Sequence, residues 1–529
     1  MPAFLTLDTL SAATSDGKPL FSDLSLALGR EVVGLVGRNG CGKSTLLSIL
    51  MGERPPQAGT VARRGRIALL RQIAPDAGTA ADALGVREGL ERLARLEAGQ
   101  GSMEDAERAD WTLEQELTEA LSRMGLAGLP LDQPVATLSG GERTRLALAH
   151  MLMGRPDLLL MDEPTNNLDA GGRAAIAGML AGWQGGALIA SHDRELLDSM
   201  DRIVHLSPVG CQIFGGGWSG FEQARDAMRD RAGADLDRAA SEAQRLARSV
   251  QRQTERQARR DKAGRAKKAK GGEPRILLGA LEGQAERTAA RNSHLAARIV
   301  AEAQAALEQA RERVEIVTPL HVDLPPSGLA GNRTLLRMDD VRCERQGRRL
   351  FGPLSLTITG PRRVVVSGAN GSGKTSLLRI VMGEEAPSGG TVTRAGGAAL
   401  AMLDQHMDLI DPALDLLGIM QARHPGMTAG QAHAVLARFA FRNQDALRPA
   451  STLSGGERLR AGLALVTGGP VPPQMLVLDE PTNHLDMEAV ELLERALAAW
   501  DGALLLVSHD RRFLDAVGHD LEIRLPDGG

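Results

Sequence analysis

The sequence predicts an α/β fold made of two P-loop domains, each a mixed, mainly parallel sheet with a helical subdomain, joined by a long α-helical hairpin linker. Three observations carry this prediction. One block of motifs occurs twice, in the same order. Within each block an apolar strand runs into a Gly-rich turn and a helix, and later apolar runs end in acidic residues. Between the blocks, roughly 222–320, Ala, Arg, Glu and Gln recur with helical spacing and little strand signal. At 529 residues the chain is too long for one core, and its 43% hydrophobic and 24% charged content is that of a soluble globular protein.

In chain order, GLVGRNGCGKST at 34–45 returns as VSGANGSGKTS at 366–376. LSGGERTR at 138–145 returns as LSGGERLR at 453–460, and LLLMDEPTNNLD at 158–169 as MLVLDEPTNHLD at 475–486. IASHDRELLD at 189–198 returns as LVSHDRRFLD at 506–515. The domains expected from this are 1–221, a helical linker at 222–320, and 321–529. The halves differ in length at one place: Gln72 to Ser139 is 18 residues longer than Gln405 to Ser454. The extra segment, about 85–125, reads as short helices. GGEP at 271–274 breaks the linker into two helices with a tip, and Pro319, Pro325, Pro326 and Gly328 mark the entry to the second domain.

Each motif has a chemistry. Gly37, Arg38, Asn39, Gly40, Cys41, Gly42, Lys43, Ser44 and Thr45 fit G-x-x-x-x-G-K-[ST], as do Gly368, Ala369, Asn370, Gly371, Ser372, Gly373, Lys374, Thr375 and Ser376. Such glycines let backbone N–H groups close around phosphates at a helix N-terminus, the lysine reaches the β- and γ-phosphates, and the hydroxyl of Ser44 or Thr375 binds Mg²⁺. Asp162 and Asp479 end apolar strands and fit the carboxylate that supports that Mg²⁺. Glu163 and Glu480 come next, placed to orient or deprotonate an attacking water. His192 and His509 lie at matched positions and read as γ-phosphate contacts. Gln72 and Gln405, after short apolar runs, are weaker candidates for nucleotide and metal.

Ser139, Gly140 and Gly141, and likewise Ser454, Gly455 and Gly456, open Arg- and Leu-rich helices and offer a second anion cradle. Neither half needs two cradles for one nucleotide. Each therefore serves the other half's nucleotide, and two ATP molecules are sandwiched head to tail within one monomer. ATP draws the halves together and hydrolysis releases them.

Cys41, Cys211 and Cys343 are far apart, with no metal-ligand or disulfide spacing, which fits a reducing cytosol. A thiol at a helix N-terminus has its pKa lowered, but the plainer reading of Cys41 is a small residue filling a small space. The first residues, MPAFLTLDTL, do not have the pattern of a signal peptide, and no apolar run reaches the roughly 20 residues of a membrane span.

The net charge of −4 hides one concentration of positive charge. Of seven lysines, Lys262, Lys267, Lys268 and Lys270 fall in RQARRDKAGRAKKAKGGEPR at 256–275. With Arg252, Arg256, Arg259, Arg260 and Arg265, and only Glu255 and Asp261 against them, residues 252–270 carry about +7. Arg275 continues the run next to Ile276, Leu277 and Leu278. Like charges at i,i+4 weaken a helix, so an unbalanced block points to a polyanion. The absence of tyrosine and the 2% aromatic content argue against single-strand binding by base stacking. Basic helices presenting a few apolar residues suit a folded RNA read by phosphate and shape, and the run by itself leaves RNA and DNA both open.

Taken together the residues resemble the ATP-binding cassette superfamily: phosphate loop, Q-loop glutamine, LSGGE signature, DE pair and switch histidine, all twice. Two cassettes on one chain, DEPTNNLD and DEPTNHLD, and a helical linker are similar to the ABC-F subfamily over essentially the whole chain. The resemblance implies a cytoplasmic ATPase using ATP and Mg²⁺. It implies binding at the ribosomal E site with the linker reaching P-site tRNA, in translation regulation, relief of stalling or antibiotic resistance. It also implies a short arm in the 85–125 insert, and an adenine-stacking aromatic before each phosphate loop. Residues 11–18 and 341–348 contain no aromatic, which leaves adenine to apolar or Arg contacts; Phe21 and Phe351 read as core. With Asn167 against His484, the two sites need not turn over equally. A DNA-associated ATPase acting on branched or duplex DNA is the alternative, and the ATPase subunit of a transporter is a third, with no role for a basic hairpin.

Overall fold

The computed structural model describes residues 3–14, 17, 19–71, 78–166, 168–207, 210–268, 297–311, 322–345, 347–404, 407–483 and 485–526. The chain divides into two compact units, Met1–Phe221 with Leu320–Gly529, and Glu222–Pro319.

Within the first unit the two halves repeat one layered plan. In the first half a three-stranded antiparallel sheet, ordered Pro19–Leu28, Leu5–Ala13, Ala58–Arg63, accompanies a six-stranded sheet. The larger sheet runs Ile67–Leu70, Leu158–Asp162, Gly186–Ala190, Val32–Val36, Arg202–Ser207, Gly210–Gly215. All its pairings are parallel except the last. The second half repeats this with Arg348–Thr359, Thr334–Arg345 and Gly389–Arg394 in the small sheet. Its five-stranded sheet, all parallel, is ordered Leu400–Leu403, Met475–Asp479, Ala503–Val507, Arg363–Ser367, Leu521–Arg524.

The central strands are near-continuous apolar runs because both faces of a parallel sheet are covered. Alternation at period two then divides each run between two cores. Leu158, Leu160, Leu188 and Ala190 face the core shared with the antiparallel sheet and the helix Lys43–Met51. Leu159, Met161, Ala187 and Ile189 face the core shared with the helix Gly140–Met153. Phe21 and Phe351 are fully buried, as expected for core residues.

The long insert of the first half is helical, with Arg87–Glu97, Met103–Arg108 and Leu113–Arg123. The six-residue middle helix is too short to persist alone. A capping box between Ser102 and Asp105 holds its start, and Asp105 also accepts from Arg95 at 2.7 Å. Ser102→Ala is expected to cost about 1 kcal/mol locally, speeding amide exchange over 103–108 about fivefold and leaving the sheets unaffected.

The helix Trp218–Lys268 belongs to the second unit from Glu222 onward and carries the basic run there, and residues 297–311 are also helical. Arg256 and Arg259 are solvent-exposed there. The backbone of Arg260, Lys262, Arg265, Lys267 and Lys268 lies in that helix, while Lys270, Arg275 and the expected tip lie outside the described residues.

Candidate nucleotide-binding sites

Parallel pairing brings the scattered motifs together. Leu158–Asp162, Gly186–Ala190 and Val32–Val36 are consecutive in the sheet and point the same way, so their C-terminal ends share one edge. That edge receives Glu163, His192 and the first phosphate loop. Met475–Asp479, Ala503–Val507 and Arg363–Ser367 do the same for Glu480, His509 and the second loop.

Each phosphate loop turns into its helix through a left-handed glycine, Gly42 with φ 102° and Gly373 with φ 92°. A side chain at Gly42 would meet the Phe21 ring at 3.2 Å, so the strand ahead of the loop also enforces glycine here. The loops wrap around their own lysines. Lys43 Nζ donates to Gly37 O at 2.8 Å and lies 3.0 Å from His192 Nε2. Lys374 Nζ donates to Gly368 O at 2.8 Å and to Ala369 O at 3.0 Å, and burial lowers its pKa. Two buried ammonium groups facing curled backbone amides are a setting for a polyanion.

Glu163 and Glu480 sit in the left-handed region, with φ 50° and 46°. Each is pinned at its amide, which donates to Ala190 O at 2.8 Å or to Val507 O at 2.9 Å. One carboxylate oxygen of each accepts a hydrogen bond from the backbone N–H of the switch histidine, at 3.3 Å in both halves. The other oxygen, Oε1, is buried without a hydrogen-bond partner. It lies 3.2 Å from His192 Nε2 in the first half and 3.4 Å from His509 Nε2 in the second, without hydrogen-bond alignment. Burial pushes Glu163 up to about 8 and Glu480 up to about 7, against the pull of Lys43 and Lys374. Burial, assisted by the same lysines, lowers His192 well below its ordinary value and His509 to about 4. Both imidazoles are therefore neutral at pH 7.

Asp479 is buried, which raises its pKa, and the Thr375 hydroxyl bonds to it. Asp162 occupies the same strand-end position in the first half. No group of three or more His, Cys, Asp or Glu among the described residues could hold a metal by itself. One hydroxyl and one carboxylate per half, both hard oxygen donors, fit Mg²⁺ shared with substrate phosphates. Gln72, Gln405, Asn167 and His484 lie outside the described residues.

The Ser139 and Ser454 hydroxyls are engaged locally. Each forms a capping box with the glutamate three residues on, Ser139 donating to Glu142 at 2.8 Å and Ser454 to Glu457 at 2.9 Å. The S-x-x-E spacing in LSGGE carries that signal in the sequence.

The cradles face the opposite loops. One cleft is lined by Ser139 and Gly140 of the first half together with Asn370, Lys374, Thr375, Asp479, Glu480 and His509 of the second. At the other site, Ser454 and Gly456 line a cleft with Arg38 and Asn39. Asn39 also borders the adjoining cleft that holds Lys43, Ser44, Asp162, Glu163 and His192. Two amides cross between the halves, Asn39 N–H to Asp486 at 3.1 Å and Asn370 N–H to Asp169 at 3.4 Å. Thr14, Leu20 and Arg54 also line the first cleft, and Arg345 and Leu350 the second, so each offers aliphatic and guanidinium groups.

Cys41 is buried, and burial raises its thiol pKa, so the plainer reading of this residue holds. Ser372 fills the same place in the second loop. Cys41→Ser is expected to keep steady-state phosphate release within about twofold, and the native thiol to react with iodoacetamide only on unfolding.

Sequence reading missed the remaining bonds between halves. Arg38 pairs with Glu488, its Nε donating at 2.7 Å. Buried Arg194 pairs with Glu494 and reaches Asp510 at 3.5 Å, and Arg512 pairs with Asp198. An arginine in one motif has no visible partner until the fold places it.

The ABC transporter family model matches residues 21–166 and 351–483. The tylosin resistance ATP-binding protein TlrC of Streptomyces fradiae is 33% identical, covering 96% of this chain and 95% of that protein. The probable ATP-binding protein YheS of Escherichia coli K12 is 31% identical over 93% of this chain and 74% of its own length. The energy-dependent translational throttle protein EttA of Mycobacterium tuberculosis H37Rv is 30% identical over 91% and 84%. Among solved structures, the archaeal ribosome recycling factor aABCE1, in complex with an archaeal ribosomal stalk protein, superposes with a TM-score of 0.56. That match is at 19% identity over 98% of this chain and 90% of that one, a likeness of fold. No helix among the described residues is long and apolar enough to cross a membrane.

Proposed function

Given that the chain belongs to the ABC-F subfamily of ATP-binding cassette proteins and hydrolyses ATP, we propose that ATP-driven closure of its two cassettes gates binding to the ribosome through the basic linker at 222–320. The observation that carries the gating is the cleft in which Ser139 and Gly140 of one cassette face Lys374 and Glu480 of the other. A nucleotide there touches both halves, so its binding energy is spent on closure and its cleavage releases them.

The phosphate loops, Gly37–Thr45 and Gly368–Ser376, bind the triphosphates, with Lys43 and Lys374 exchanging their own loop carbonyls for phosphate oxygens. Ser44 with Asp162, and Thr375 with Asp479, would hold Mg²⁺, with Gln72 and Gln405 as further candidates; the ion would supply charge neutralisation at the phosphates. Glu163 and Glu480, raised by burial toward the working pH, act as the bases in their ionised form. Each has one oxygen fixed by the switch histidine's backbone and one left for a water proton. His192 and His509, neutral, donate to the γ-phosphate. The signature residues Ser139, Gly140, Gly141, Ser454, Gly455 and Gly456 complete the opposite sites.

The relatives named for a translational throttle and for tylosin resistance support a ribosomal role in the cytoplasm. The exposed Arg256 and Arg259 support an RNA contact by the helix that also carries Arg260, Lys262, Arg265, Lys267 and Lys268, and the run continues through Lys270 and Arg275. The partners are then the ribosome and tRNA, and the arm-like insert is an accessory. The test is co-sedimentation of the Glu163→Gln/Glu480→Gln variant with ribosomes. ATP-dependent binding is expected, and it should be lost on changing Lys262, Lys267, Lys268 and Lys270 to glutamate. Binding should also fall steeply with salt, since several phosphate contacts release counterions. Failure to bind ribosomes, with retention on branched or duplex DNA, would establish the DNA-associated reading instead.

A further inference from the structure

Among the described residues, one contact between a phosphate loop and the opposite cassette is present at the first nucleotide site and has no counterpart at the second. In the first, the Arg38 guanidinium of the phosphate loop donates through Nε and Nη2 to Glu488 of the opposite cassette. Superposing the repeats places Ala369 opposite Arg38 and Gly171 opposite Glu488, so the second site has neither partner. The amide contacts beside it, Asn39 to Asp486 and Asn370 to Asp169, are common to both. Arg38 and Glu488 border the cleft that also contains Ser454 and Gly456, the cradle expected to close over the first nucleotide.

We propose that Arg38 and Glu488 form a latch that fastens the first phosphate loop, and not the second, to the opposite cassette, so that nucleotide leaves the first site more slowly than the second. This rests on the reading that each nucleotide is enclosed between a phosphate loop and the opposite signature. Nucleotide release needs the loop and the opposite signature helix to separate. At the first site that motion also breaks an ion pair; at the second it does not. Arg38 and Glu488 are positioning residues, acting on the loop and not on the reacting atoms. With side-chain exposures of 53% and 31%, the pair is partly screened. The expected slowing is therefore modest, about two- to fivefold at low salt, and it shrinks as salt is added.

The test uses the full-length Glu163→Gln/Glu480→Gln protein loaded with radiolabelled ATP and chased with excess unlabelled ATP. Two release phases of equal amplitude are expected. Glu488→Ala and Arg38→Ala should each accelerate the slow phase about two- to fivefold and leave the fast phase alone. The exchanged pair Arg38→Glu/Glu488→Arg should restore it, which a general packing defect would not. Ala369→Arg with Gly171→Glu should slow the fast phase instead. Gly171 is helical with an ordinary φ, and a side chain there meets only Asp169, at 3.6 Å. Retention of two ATP molecules released in a single phase, or a slow phase indifferent to Glu488→Ala, would overturn the latch and leave the enclosed-nucleotide reading standing. No retained ATP in the parent variant would overturn both.

Discussion

ATP hydrolysis by the Glu163→Gln/Glu480→Gln protein is expected to fall by about 10²–10⁴-fold, the usual contribution of a positioned general base, with ATP binding retained. Glutamine keeps the size of the side chain and its acceptor for the histidine N–H, at 3.3 Å in both halves, and loses only basicity. Each single variant should keep a share of turnover, because the two carboxylates belong to separate clefts. Phosphate release with and without retained nucleotide checks this. Unchanged hydrolysis in the double variant would remove both glutamates from the chemistry.

Arg194→Ala is expected to have the largest effect on pairing of the cassettes. Arg194 is 7% exposed and compensates Glu494 and Asp510 across the boundary, and burial already raises Glu494. Without the guanidinium, two carboxylates are left facing each other in a dry contact, at a cost of about 3–5 kcal/mol while the halves stay closed. The halves then open, or Glu494 takes up a proton. Denaturant unfolding and ATP-dependent closure should both show the loss. Arg194→Leu/Glu494→Leu should recover part of the stability, because it removes the main pair together and leaves only Asp510, which keeps its hydrogen bond from the Phe513 N–H. Equal stability of Arg194→Ala and the parent would mean that the pair contributes nothing.

Much of the site was legible because phosphate chemistry demands specific residues at fixed spacing. Lys43 and Lys374 stand out in a chain with seven lysines, and the apolar runs before Asp162 and Asp479 mark buried parallel strands. The repeat supplied the fold, since every motif could be checked against its partner half. The contacts between the halves were illegible for a physical reason. Arg38 and Glu488 are 450 positions apart, and an exposed arginine beside a phosphate loop has many possible partners. The capping role of the Ser139 hydroxyl was not read from the sequence either. An anion cradle and a capping box place the same residues at a helix start, and the structure spends the hydroxyl on Glu142.

The left-handed backbone at Glu163 and Glu480 sets evolution and engineering at odds here. A non-glycine residue with φ near 50° costs of order 1 kcal/mol, and a buried, unpartnered carboxylate oxygen adds to that. Glycine at either position would relieve both burdens. Selection of this protein for heat resistance alone, blind to turnover, should therefore drift toward Glu163→Gly and Glu480→Gly, which on the proposed mechanism is a sturdier molecule without its bases. On the proposed mechanism the same two positions would serve as sentinels in a pool of natural variants: chains that keep glutamate there would still be held to the reaction.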